Sequence, residues 1–228
     1  GALGLSSASL LSACGTEGTV QTADTCESTD ISDTSAKLFF SNWPLYIDEK
    51  GKRLPTLEDF EKQSGIDVTY TTDINDNNQF FAKVRNQLGA CEPIDRDIIV
   101  MTDWMAARMI GLGWIQEIDL AEMPNVEANL VDSLRNPGWD ADRAHSVPWQ
   151  SGLTGIAYNA KYTGEISSWE EFTTRADLKG KVSMLAEMGD TMGFFLQMTG
   201  ADASNFDDDD WATAIASLLQ APLGEPPK

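Results

Sequence analysis

The sequence predicts an α/β protein with parallel strands, divided into two lobes of which the second is incomplete. Three observations carry this expectation. From Lys37 to Leu112, short apolar runs alternate with amphipathic helical stretches; strands joined by helices need crossover connections, and such crossovers make parallel pairs. The alternation then gives way to a charged stretch containing Pro137-Gly138 and to two extended segments, which read as a crossing between lobes. Beyond the crossing only one clear strand remains, too little for a sheet with its own core. The boundaries expected are 1–36 for a leader, anchor and tether, 37–152 for the first lobe and 153–228 for a partial second lobe.

Each element follows from its local pattern. Lys37-Leu-Phe-Phe-Ser41 is a short buried strand. Pro55 opens a helix that runs to Ser64 with Leu57 and Phe60 on one face, and Gly65 ends it. Asp67 to Thr72 is the second strand, and Asn77 to Leu88 is a helix striped by Phe80, Phe81, Val84 and Leu88. Asp97 to Val100 is the third strand, and Asp103 to Leu112 a helix stopped by Gly113. Val126 to Arg143 reads as loop with short helical turns. Ser146 to Pro148 and Thr154 to Asn159 are the extended crossing segments. Then come a helix from Ser168 to Ala176, a strand from Lys181 to Leu185, a helix from Thr191 to Thr199 capped by Asp190, and a last helix from Asp209 to Leu219. The acids Asp207 to Asp210 suit the amino end of that last helix; the spaced oxygens and turn glycine of a calcium loop are absent.

The 228 residues, 42% hydrophobic, suffice for a packed core, and the net charge of -20 disfavours nucleic acid and anionic lipid while it attracts cations. The chain starts inside an apolar stretch that ends Leu11-Ser12-Ala13-Cys14. That stretch is too short to span a bilayer and reads as the remainder of a secretory signal. Its ending resembles a bacterial lipobox, so Cys14 is the expected lipidation site and the protein is expected to be exported and anchored by that lipid. Thr16 to Ser35 reads as a flexible tether. Cys26 and Cys91 are free to pair in an exported protein, but sequence does not decide their pairing. The break after Ala221 and the short second lobe imply a fragment at both ends.

For chemistry, the single histidine, His145, lacks a Gly-x-Ser-x-Gly partner turn, and no phosphate-cradling glycine motif occurs. No metal ligand set and no cofactor site are expected. Aromatic residues, by contrast, follow the predicted strands: Trp43 and Tyr46 after the first, Trp104 with Asp103 beside it after the third, and Trp149 after Ser146-Val-Pro148. Ligands of parallel sheets bind beyond the carboxyl ends of the strands, and aromatic faces attract ammonium groups. Glu187 and Asp190 lie where a strand gives way to a helix and are expected to point into one cleft, where a dication would need such carboxylates. Alternatives are a solute-binding protein for another cationic or neutral solute, an exported carboxylate-dependent hydrolase, and a structural surface lipoprotein.

These residues carry a resemblance. Phe40-Ser-Asn-Trp43-Pro-Leu-Tyr46, Gly113-Trp-Ile-Gln-Glu-Ile-Asp119, Ser146-Val-Pro-Trp149, Thr154-Gly-Ile-Ala-Tyr-Asn159 and Ser168-Trp-Glu-Glu-Phe172 together resemble the spermidine/putrescine-binding proteins of bacterial ABC transporters. The resemblance implies a type II periplasmic-binding-protein fold, a polyamine ligand held by Trp43, Tyr46, Trp104, Glu187 and Asp190, and ABC permease subunits as partners. Asp103 and Trp149 are further ligand-binding candidates. A monomer without enzymatic activity is expected.

Overall fold

The computed structural model describes residues 31–221. Cys14 and Cys26, with the anchor and most of the tether, lie outside them.

β1 (Lys37–Ser41) is the centre of a three-stranded parallel sheet in the order β2-β1-β3, with β2 at Asp67–Thr71 and β3 at Ile98–Ile99. Phe40 stands opposite Tyr70 on one side and Ile98 on the other. The central position is matched by burial, because β1 is the strand whose end residues Phe40 and Ser41 are both buried. α1 (Pro55–Ser64) connects β1 to β2. It begins with Pro55, whose missing N–H costs nothing in the first turn, and ends at Gly65, whose φ of 74° suits glycine. The predicted Leu57/Phe60 face covers little: no residue of α1 is buried and Phe60 is exposed.

α2 (Asn77–Gly89) and α3 (Asp103–Gly111) build the core of this sheet region. The Asp76 side chain caps α2 by accepting from the Gln79 N–H at 2.7 Å. Phe80, Phe81 and Val84 of α2 pack with Ile74 and with Met105 and Met109 of α3. Burying each such side chain contributes about 1.5–3 kcal/mol. Cys91, just past α2, is disulfide-bonded. Asp73, in the turn after β2, binds Lys83 and Arg96, each at 2.9 Å. Burial pushes its carboxyl up, but hydrogen bonds from Lys83, Arg96, Ser41 and Thr71 outweigh that and hold it well below the usual carboxylate range.

The charged stretch contains α4 (Pro124–Asn129) and short turns, as its pattern predicts. It is closed by a buried knot. The Asp140 carboxylate accepts from Ser146 Oγ at 2.6 Å and stands 3.1 Å from His145 Nδ1, and Arg143 donates to Ser146 Oγ at 3.0 Å. His145 and Ser146 thus both serve Asp140, and the knot ties down the chain where the crossing segments begin.

The helical region follows: α5 (Ala160–Thr163), α6 (Trp169–Thr174), α7 (Met188–Met198) and α8 (Asp208–Gln220). Ser168 caps α6 by accepting from the Glu171 N–H, and Asp207 with Asp210 forms a capping box on α8. Met192, Phe195 and Leu196 of α7 pack on Ala214 of α8. Two expectations are corrected here. Lys181–Leu185 is not a continuous strand: only Val182 takes a bridge position, and among the described residues no neighbouring strand runs beside it to share its hydrogen bonds; the crossing segments likewise join no sheet among the described residues, and Leu153, Tyr162 and Leu185 are exposed. α7 begins at Met188 rather than Thr191, because the Thr191 N–H closes a helical bond on the Glu187 carbonyl. Asp190 therefore sits inside the first turn, and Glu187 holds the cap position.

Candidate functional site

The carboxyl end of β1 is a rigid platform. Ser41 and Asn42 are fully buried, and the Asn42 side chain accepts from the Trp43 N–H at 2.7 Å. Trp43 donates its indole N–H to the Val100 carbonyl at 2.9 Å, which joins the ends of β1 and β3. Leu45 adopts a φ of 63°, a left-handed conformation that costs a non-glycine residue roughly 1 kcal/mol or more. That turn brings Tyr46 back over Trp43, with ring centroids 6.1 Å apart and planes at 29°. Trp149 supports the turn from below: its indole N–H donates to the Tyr46 carbonyl at 2.9 Å, and its ring meets Phe40 edge-on at 5.4 Å. Its polar handle is thereby used within the protein.

The end of β3 supplies the second wall. Trp104, in the first turn of α3, packs against the same core as Trp43. Asp103 is exposed and accepts from the Trp104 N–H at 2.8 Å. Its charge also acts on Arg143: burial pushes that guanidinium down, while Asp140 and Asp103 act in the opposite direction.

From the helical region, Glu187 and Gly189 meet this wall. A Cβ placed on Gly189 would lie 3.2 Å from Trp104 Nε1 and 3.7 Å from Glu187 Oε1, so indole, glycine and carboxylate are in close company. Asn77, at the start of α2, donates to Glu187 Oε2 at 2.9 Å, while Glu187 Oε1 is buried with no hydrogen-bond partner. The positive end of the α7 dipole favours negative charge here.

Asp190 lies in the first turn of α7, after the cap Glu187. It is exposed and lines a cavity of about 260 Å³ walled by Trp169, Phe172 and Phe194. Trp169 stacks on Phe194 at 4.3 Å there. The structure thus joins Trp43 to Tyr46 and Trp104 to Glu187, while Asp190, one helical turn on from Glu187, lines a cavity that Glu187 does not line. Sequence reading missed Asn77. The available signal was an uncharged amide directly after the cap Asp76, at a position that starts an apolar stripe. Among the described residues, no group of three or more His, Cys, Asp or Glu side chains could hold a metal ion, and no helix is long and apolar enough to cross a membrane.

Aromatic rings and helix amino ends gathered at the carboxyl edge of a parallel sheet, with a carboxylate brought in from a second region, define an α/β binding protein. The chain belongs to the bacterial extracellular solute-binding protein family, whose pattern its residues 56–221 match. It is similar to the spermidine/putrescine-binding periplasmic protein of Escherichia coli, with 25% identity over 177 residues, covering 77% of this chain and 47% of that protein. Among solved structures it is similar to a putative spermidine/putrescine ABC transporter protein from Listeria monocytogenes, at 25% identity and a TM-score of 0.69, covering 82% of this chain and 54% of the other. The TpPotD lipoprotein of Treponema pallidum gives 26% identity and a TM-score of 0.70, with 82% and 55% covered. The fold is therefore periplasmic-binding-protein-like, and the chain spans about half the length of the relatives it matches.

Proposed function

We propose that this chain forms part of the extracytoplasmic binding component of a polyamine importer of the ABC type, with spermidine or putrescine as the ligand. The observation that carries this reading is Glu187: a carboxylate beside an indole ring, bonded on one oxygen by a neutral amide and buried without a partner on the other. A buried charge of that kind calls for a cation that brings N–H donors. An alkylammonium supplies both, and its methylenes suit the stacked rings of Trp43 and Tyr46, whose faces attract such groups by about 0.5–2 kcal/mol each. The acidic net charge adds long-range attraction for cations. The disulfide at Cys91 fits an oxidising compartment outside the cytoplasm. In this reading a lipid on Cys14 holds the protein at the membrane, residues 37–152 and 153–228 belong to separate lobes, and a monomer presents the ligand to permease subunits.

Calorimetry on the full-length protein with spermidine and putrescine tests the reading. Binding by wild type and a loss of ten- to a hundredfold in Glu187→Gln are expected. Absence of heat with either polyamine, with another solute bound, overturns it. One observation favours a second reading, a solute with a single cationic group: Asp190 lines a cavity whose walls do not include Glu187. Equal affinity for butylamine and putrescine would select that solute class.

A further inference from the structure

We propose that Asn77 is a positioning residue that latches the sheet region to the helical region by seating the Glu187 carboxylate; the inference rests on the solute-binding reading for its functional meaning. Asn77 is fully buried, and both ends of its amide are engaged. Oδ1 accepts from the Thr102 N–H at 3.2 Å, and Nδ2 donates to Glu187 Oε2 at 2.9 Å. The two partners select one orientation, since the flipped amide would turn a donor toward an N–H and an acceptor toward a carboxylate. Thr102 also fixes the amide to the turn between β3 and α3, which leads into the helix that carries Trp104.

The bond links residues 110 positions apart, and among the described residues it is the one hydrogen bond between residues 31–145 and residues 153–221. The close approach of Gly189 to Trp104 lies next to it. The chemistry of the donor matters. A lysine or arginine at this position would neutralise Glu187 and compete with a cationic ligand. A neutral amide orients the carboxylate and leaves its charge and its second oxygen available. Asn77 thereby couples two properties: the aim of Glu187 and the approach of the two regions in the absence of ligand.

The test measures the distance between fluorescent labels on the two regions in the ligand-free full-length protein, with polyamine calorimetry alongside. Asn77→Asp keeps the acceptor for Thr102 and sets a carboxylate against Glu187, so the ratio of separated to closed molecules should rise roughly tenfold. Combining Asn77→Asp with Glu187→Gln rebuilds the bond with donor and acceptor exchanged, and the wild-type distance should return. Glu187→Gln alone should keep the distance and lose affinity, whereas Glu187→Ala should separate the regions. A wild-type distance in Asn77→Asp or Glu187→Ala, or no recovery in the double variant, overturns the latch. If the distances respond as stated while no polyamine binds the wild type, the latch stands and the polyamine reading fails.

Discussion

In the sheet region, Phe40 lies between two paired strands and under Trp149, and the helices α2 and α3 close a core that includes the fully buried Ile74, Met105 and Met109. In the helical region, α7 and α8 close a smaller core around Phe195, while among the described residues the extended segments Thr154 to Asn159 and Lys181 to Leu185 have no strand paired beside them and Leu153 and Leu185 face solvent. Both regions contain strand-forming sequence. The difference is that a helix satisfies its own backbone, whereas a strand borrows its hydrogen bonds from a neighbour. Local pattern therefore suffices for α7 and α8, and a strand forms only where the topology places a partner.

This contrast can be broken at its largest effect by Phe195→Ala. Emptying a fully buried aromatic site should cost about 3–5 kcal/mol, and hydrogen exchange should show α7 and α8 losing protection while β1 and β2 keep theirs. Loss of protection in both regions together would mean that they fold as one cooperative unit. Asp140→Asn removes the charge and turns one of the two acceptor oxygens into a donor, so Ser146 and His145 can no longer both be held, which should cost about 2–3 kcal/mol, read as earlier proteolysis in the crossing segments. Asp73→Asn should cost about 1 kcal/mol after solvent screening and confine its effect to the sheet region. The sign with pH follows from its lowered folded-state value. The stability Asp73 contributes is fully present above about pH 4 and is lost as pH falls through that lower value. Acid unfolding of the variant should accordingly be shallower than that of wild type. The smallest effect is Asp207→Ala, which removes an exposed cap from α8 and should lower the melting temperature by the equivalent of about 1 kcal/mol.

Much of the fold was legible in sequence where the signal is local. Pro55 and Gly65 bound α1, the Phe80-Phe81-Val84 stripe marks α2, and Asp207 to Asp210 marks the start of α8, each as observed. The strand expected at Lys181 and the cap expected at Asp190 were misread because both depend on what lies beside them. Of the site, the aromatic residues after β1 and β3 could be picked out, since a strand end is a local feature. Their partners could not: that Trp149 spends its indole N–H on Tyr46, that Glu187 meets Trp104 and that Asp190 and Trp169 line one cavity are facts of packing.

By itself, the sequence determined the order of helices and strands between Lys37 and Leu112, the acidic composition and the set of rings and carboxylates available for binding, because periodicity, caps and charge act over a few residues. Only the tertiary structure decided which of those side chains meet. Asn77 and Glu187 are 110 positions apart, and a hydrogen bond has a reach of about 3 Å, so their encounter is set by how the chain returns on itself.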